Sequence, residues 1–278
     1  MRFKAKIIQE SLMVLSGLIG VLEKISSVCV VYLTENSIRI SIKDSPEDIM
    51  AFSEVTQDRL FCEYRIESLG GNCILFEIGS ANLSRALASG RSAPLCQLKL
   101  TKRMGQPCLC VETRALEVDI VHDIPVKIMK PAEIQYYLAP DVPIPQVQLE
   151  LPRGKSFRTV MDRVKGINRH VFIEADMGGT MTFRVETDNA TIKTFYSNLI
   201  PRFDSMADKA ASKHNSVCTK VDTKKLATLL SYHGLPYESA IICLIENTCL
   251  VLHVFLAPRG AGTLTYYMPV LHTGPFEF

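Results

Sequence analysis

The sequence predicts an α+β protein in which one architectural unit occurs twice, each copy an antiparallel sheet carrying two amphipathic helices. Three observations point there. The order strand, helix, several strands, short helix, strands runs from Arg2 to Met129 and again from Val147 to Met268. Between the two passes stand Pro131, Pro140, Pro143 and Pro145, a density that opposes both helix and central strand and predicts an extended connector. The length of 278 residues suits two domains of roughly 130 residues each. The chain therefore divides into residues 1–130, a connector at 131–145, and residues 146–278.

In the first half Arg2 to Ile8 reads as a strand. Glu10 to Ser26 follows as a helix, with Leu12, Leu15, Leu18, Ile19, Leu22 and Ile25 at helical spacing. Val28 to Leu33 runs apolar, and Ile38, Ile40 and Ile42 alternate with Arg39, Ser41 and Lys43, the period of a half-buried strand. Further strands are expected at Leu60 to Glu67, Cys73 to Ile78, Leu95 to Leu100, Cys108 to Thr113 and Val118 to Met129, with a short helix at Asn82 to Arg91 and Ser80 as its N-cap.

The second half restarts with a strand at Val147 to Leu151 and a helix at Lys155 to Ile167, whose Phe157, Val160, Met161 and Val164 face inward. Strands follow from Val171, with Gly178-Gly179 as a hairpin turn, then at Thr180 to Glu186, Thr191 to Tyr196 and Val217 to Val221. A helix at Lys224 to His233 precedes strands at Ala240 to Glu246, Cys249 to Leu256 and Leu264 to Met268. Pro201 to Ser216 is polar and reads as a loop.

Composition excludes several classes. A 47% hydrophobic and 22% charged chain is that of an ordinary folded protein. No apolar run approaches the roughly eighteen residues of a membrane span, and Met1 to Lys6 lacks a signal-peptide apolar core, so a nuclear or cytoplasmic protein away from membranes is expected. Nine cysteines, an odd number scattered through apolar runs, read as reduced thiols. The sequons at Asn82 and Asn189 matter only in a secretory compartment.

Candidate catalytic and metal motifs fail on geometry. Gly154-Lys155-Ser156 opens a helix, but a phosphate loop needs a glycine five residues before Gly154, and position 149 is Leu. His122 and Asp123 are neighbours on a strand and so point to opposite faces. Cys108 and Cys110 share a face, yet no CxxC or paired His completes a four-ligand zinc site. Neither metal, cofactor nor enzymatic activity is expected.

The helix faces carry the functional signal. The formal charge is only +2, so placement matters more than bulk. At about 100° per residue, Lys155 lies opposite the apolar stripe of its helix, flanked by Arg158 and Arg163, with Lys165 nearer the boundary. The other helices add Lys24, then Arg85 and Arg91, then Lys224 and Lys225. Cations on one side of a sheet suit phosphates of duplex DNA without sequence preference. Trp is absent and the polar helix faces lack aromatics for base stacking.

Four segments in order resemble one family: Met1-Arg2-Phe3-Lys4-Ala5-Lys6-Ile7, Ala81-Asn82-Leu83-Ser84-Arg85-Ala86-Leu87, Val121-His122-Asp123-Ile124-Pro125-Val126-Lys127 and Tyr266-Tyr267-Met268-Pro269. They are similar to the Hus subunit of the heterotrimeric DNA-damage checkpoint clamp, a relative of the PCNA sliding clamp, and the likeness runs end to end. The resemblance implies a two-domain sliding-clamp fold, with sheets as outer wall and helices lining a hole that holds double-stranded DNA. It implies two Rad-type sister subunits, an ATP-dependent clamp loader, and scaffolding of checkpoint and repair proteins, with no catalysis by this chain. A homotrimeric replication clamp shares the fold and is the alternative. By position, the strand with Cys108, Leu109, Cys110 and Val111 is expected to be one ring edge, and Thr191, Ile192, Lys193, Thr194 and Phe195 the other. Tyr136 and Tyr137 of the connector would contribute to a groove for peptide motifs.

Overall fold

The computed structural model describes residues 1–69, 71–114, 118–203 and 216–271. In chain order the first half comprises β1 (Arg2–Ile8), α1 (Gln9–Leu22), β2 (Val28–Leu33), β3 (Ser37–Ile42), β4 (Met50–Thr56), α2 (Gln57–Leu60), β5 (Glu63–Glu67), β6 (Ile74–Gly79), α3 (Ser80–Ser89), β7 (Leu95–Arg103), β8 (Gln106–Arg114) and β9 (Asp119–Met129). A 3-10 helix at Pro131–Tyr137 opens the connector. The second half comprises β10 (Val147–Glu150), α4 (Ser156–Val164), β11 (His170–Asp176), β12 (Met181–Glu186), β13 (Thr191–Tyr196), β14 (Ile200–Pro201), β15 (Ser216–Asp222) and α5 (Thr223–Leu229), with a 3-10 helix at Leu230–Gly234, then β16 (Tyr237–Ile245), β17 (Cys249–Leu256) and β18 (Gly262–Pro269).

Fourteen strands form one sheet in the order β14-β10-β16-β17-β18-β4-β3-β2-β6-β9-β8-β7-β1-β5, and β13-β12-β11-β15 form a second. The two halves are joined inside the large sheet, because β18 pairs antiparallel with β4 from Gly262 opposite Val55 to Tyr267 opposite Met50. Thr56 reinforces the seam, its hydroxyl donating to the Gly260 carbonyl at 3.0 Å. Within the sheet, Ile38, Ile40 and Ile42 are buried as expected and Arg39 reaches the other face to pair with Glu54, but Ser41, expected on a wet face, is buried as well.

Among the described residues α1 and α3 pack on the large sheet, and α4 packs on the smaller one. Leu12, Leu15, Leu18, Ile19 and Leu22 of α1 are buried against the sheet. Ser16 and Gly17 are buried as well, because the 3-10 helix of the second half lies against α1; a Cβ on Gly17 would meet the Leu235 side chain at 3.2 Å. In α4, Phe157 stacks on Tyr196 at 4.1 Å and meets Phe183 edge-on at 5.5 Å, which fixes the helix to the smaller sheet. Contacts run continuously from α3 to α1, from α1 to the 3-10 helix at 230–234, and from there to α4 and α5.

Several elements depart from the sequence expectation. The first helix ends at Leu22 rather than Ser26. Leu60 to Glu67 is a helical turn followed by β5, and β4 was not expected at all. Ser80 does not cap α3: Gly79 occupies that position, and the Ser80 hydroxyl donates to the Ser26 carbonyl instead. The connector begins as a 3-10 helix rather than running extended from its start. The expected loop at 201–216 falls mostly on residues 204–215, outside those described, as does the tail at 272–278.

Candidate nucleic-acid interface and ring edges

Nine cations were expected on the helix faces, and their surroundings sort them into two groups. Arg91 is tied down: its Nε donates to the Ser16 hydroxyl at 3.0 Å, and its carbonyl accepts from Gln9 at 3.0 Å, so it fastens the end of α3 to α1. Lys225 spans the halves, its Nζ donating to the Asp48 carboxylate at 2.8 Å and to the Glu47 carbonyl at 2.5 Å. Arg85 folds onto its own helix, donating to the Asn82 side chain at 2.7 Å. These three serve the fold first.

The remaining cations are more available. Arg158 and Lys165 share one acid, Asp162, at 3.5 and 2.6 Å. Lys165, then Arg158, holds the Asp162 carboxyl below the usual range, so this trio keeps a net positive charge. Lys24, Lys155, Arg163 and Lys224 are exposed and make no ion pair among the described residues. Burial holds the Lys24 ammonium below its usual range, and the Arg158 guanidinium adds to the depression. Burial also lowers His233, helped by Arg158 and Lys155. Arg158 of the second half therefore acts on Lys24 of the first as well as on its own half's His233.

Arg169 is a cation that sequence reasoning missed. It shares a depression with Lys165, Asp222 and Lys224, and its Nε lies 3.4 Å from Asp222. It follows the last turn of α4 in the segment Gly166-Ile167-Asn168, so a helical wheel gives it no face.

The sheet edges differ from expectation on one side. Cys108, Leu109, Cys110 and Val111 do not form an edge: β8 pairs with β7 along one side and β9 along the other, and all four are buried. Burial, with Asp123 and Glu112 beside it, pushes the Cys110 thiol up to about 12. The open backbone belongs to the next strand. β9 pairs with β6 only through Val126–Met129, while Asp119–Pro125 pair with β8 and have no strand on their other side among the described residues. Val121 there is 51% exposed. On the smaller sheet β13 pairs, among the described residues, with β12 alone, leaving Thr191, Ile192, Lys193, Thr194 and Phe195 on an edge where Phe195 is 72% exposed.

The profile of the Hus1-like protein family matches residues 1–272. The chain belongs to that family. It is 31% identical over 277 residues to the checkpoint protein hus1 homolog of Dictyostelium discoideum, covering 98% of this chain and 99% of that protein. Checkpoint protein HUS1 of Homo sapiens is 25% identical over 283 residues, covering 98% and 100%. Among solved structures, proliferating cellular nuclear antigen from Entamoeba histolytica superposes with a TM-score of 0.74 at 12% identity, covering 97% of this chain and 99% of that one. PCNA from Thermococcus kodakaraensis gives 0.71 at 17% identity, covering 97% and 100%. The fold is the sliding-clamp fold.

In this Hus1-like chain the connector crosses the outer face of the sheet. Val142 packs on a small apolar cluster of Cys243, Ile245, Cys249 and Val251. Lys43 donates to the Leu138 carbonyl at 3.2 Å. Tyr136 is 65% exposed and Tyr137 is half-buried, so the 3-10 helix presents one aromatic ring to solvent.

Proposed function

We propose that this checkpoint-clamp subunit is non-catalytic, and that it completes a heterotrimeric ring with two Rad-type clamp subunits around double-stranded DNA at damage sites. An ATP-dependent loader opens and closes that ring, and the outer wall with its connector holds signalling and repair proteins, principally in the nucleus. The Hus1-like family match favours this reading over a homotrimeric replication clamp.

The observation that carries the DNA reading is the unbroken packing of α3 on α1, of α1 on the 3-10 helix at 230–234, and of that helix on α4 and α5, which brings Arg158 near enough to act on Lys24. One lies on the second half's first helix and the other just beyond the first half's, so both halves contribute to a single cationic layer. Sliding needs several weak phosphate contacts rather than one strong one. The free stretches Asp119–Pro125 and Thr191–Tyr196 supply unpaired backbone at two places, and strand addition to such edges is a common mode of association.

The test uses the assembled ring on nicked circular DNA at moderate salt. Lys155→Glu, Arg158→Glu and Arg163→Glu together abolish retention while leaving assembly intact. Each single change weakens it slightly. Retention of the triple variant at the wild-type level would overturn the helix-face assignment. Native mass spectrometry of the isolated chain separates the alternatives, since a replication clamp forms a trimer of itself.

A further inference from the structure

The loop from β3 to β4, residues 43–49, touches two other parts of the molecule. At its far end Lys225 of α5 donates to the Asp48 carboxylate at 2.8 Å and to the Glu47 carbonyl at 2.5 Å. At its near end Lys43 donates to the Leu138 carbonyl at 3.2 Å, where the connector leaves its 3-10 helix. Ser45 and Pro46 stand between these two anchors. Of the 14 prolines in the chain, Pro46 alone follows a serine or threonine. Ser45 is half-buried, with Asp44, Pro46, Glu47 and Asp48 exposed around it. Its hydroxyl accepts from the Glu47 amide at 3.3 Å and its carbonyl from the Asp48 amide at 3.1 Å, so its bonds stay within the loop.

We propose that Ser45 is a phosphorylation site for a proline-directed protein kinase, and that its phosphate draws Lys43 away from the Leu138 carbonyl. Pro46 biases Ser45 toward extended backbone and removes the following N–H, which is the local form such a kinase reads. Asp48, three positions on, already holds Lys225, which disfavours a kinase that reads an acid there. In the step itself the γ-phosphoryl group of ATP passes to the Ser45 Oγ; the bond to the β-phosphate oxygen breaks, ADP leaves, and the kinase's base takes the hydroxyl proton. The product carries about −1.5 to −2 charges at neutral pH, beside the Asp44 and Glu47 carboxylates. It therefore needs a cation. Lys225 is already paired with a carboxylate, whereas Lys43 holds only a neutral carbonyl, and a dianion is the stronger acceptor. Residues two apart are separated by at most about 7 Å, so the Lys43 side chain reaches the new group without moving the fold. Phosphorylation thus unfastens the connector at Leu138.

The test incubates the full chain with a purified proline-directed kinase of the cyclin-dependent class and ATP, and locates phosphate by peptide mass spectrometry. Incorporation at Ser45 is expected, absent in Ser45→Ala and at least about tenfold slower in Pro46→Ala, which keeps the hydroxyl. NMR of the Leu138 carbonyl carbon then follows the lysine. Phosphorylation shifts this resonance, Lys43→Gln shifts it alike in the unphosphorylated chain, and phosphorylation of Lys43→Gln adds nothing further. Lys43 and Pro46 are exposed loop positions, so both variants keep the fold. Absence of phosphate at Ser45, incorporation indifferent to Pro46, or a Leu138 resonance unmoved by phosphorylation would each overturn the proposal.

Discussion

The Arg158 guanidinium on α4 helps to depress the Lys24 ammonium beyond α1, although the two residues are more than a hundred positions apart and belong to different halves. Replacing Arg158 with Ala should raise the Lys24 pKa, but not fully to its ordinary value, because burial is the larger cause. Side-chain NMR of Lys24 reads this directly. An unchanged titration would mean that the two helices do not share a surface.

Stability should fall on mild acidification. His233 and His170 both have pKa values lowered from 6.5, chiefly by burial. Below pH 6.5 the unfolded chain therefore binds more protons than the folded one, and stability present above 6.5 is lost as pH falls through the lower folded values. His233→Gln should flatten part of that slope, with His170 supplying the rest. Urea unfolding midpoints across this range measure it, and a slope identical to wild type would exclude His233 as a contributor.

Ring assembly should depend on Val121 and Phe195 rather than on the Cys108–Val111 strand. Val121→Asp and Phe195→Asp place a charge on exposed edge residues, so the chain stays folded while each variant loses a different neighbour in co-purification. Cys110→Asp buries a charge instead, and should cost about 3 kcal/mol or more of stability. If Cys110→Asp folded normally and lost one partner selectively, the open edge would lie on β8 after all.

Gly262 closes the seam between the halves. Its φ is +151°, and a Cβ there would collide with the Glu54 carbonyl of β4. Gly262→Ala should therefore destabilise the protein by about 2 kcal/mol or more. Calorimetry would register the loss, whereas Gly105→Ala, in open space though also at positive φ, should cost less.

Most strands were legible because their apolar residues alternate strongly, as in β3. β4 was not, since its inward positions are Ala51, Ser53 and Val55, too small and polar to stand out from a loop. The last helix was expected to reach His233, but Ser231 and Tyr232 turn inward where the chain tightens into a 3-10 helix against α1, a demand imposed by distant residues. The open sheet edge lies one hairpin arm away from the expected strand. Side-chain pattern reports which faces of a strand are covered, as in the buried run Cys108–Val111, and does not report whether its backbone edge is paired. In the structure His122 meets Ser89 on α3 at 2.9 Å and Asp123 meets Arg103 at 2.9 Å, as opposite faces require. Clustering of basic residues was readable. Which of them were already spent on Ser16, Asn82 or Asp48 was not, because those partners come together only in three dimensions.

The pairing of β18 with β4 has a consequence for biosynthesis. Its partners stand about two hundred positions apart, as the Thr56 to Gly260 hydrogen bond shows. A nascent chain leaving the ribosome therefore exposes β4 with one flank bare until nearly the whole second half has been translated. During that interval the flank can be captured by other unfinished chains, so the yield of soluble protein should depend on elongation speed and chaperone supply more than the stability of the finished molecule suggests.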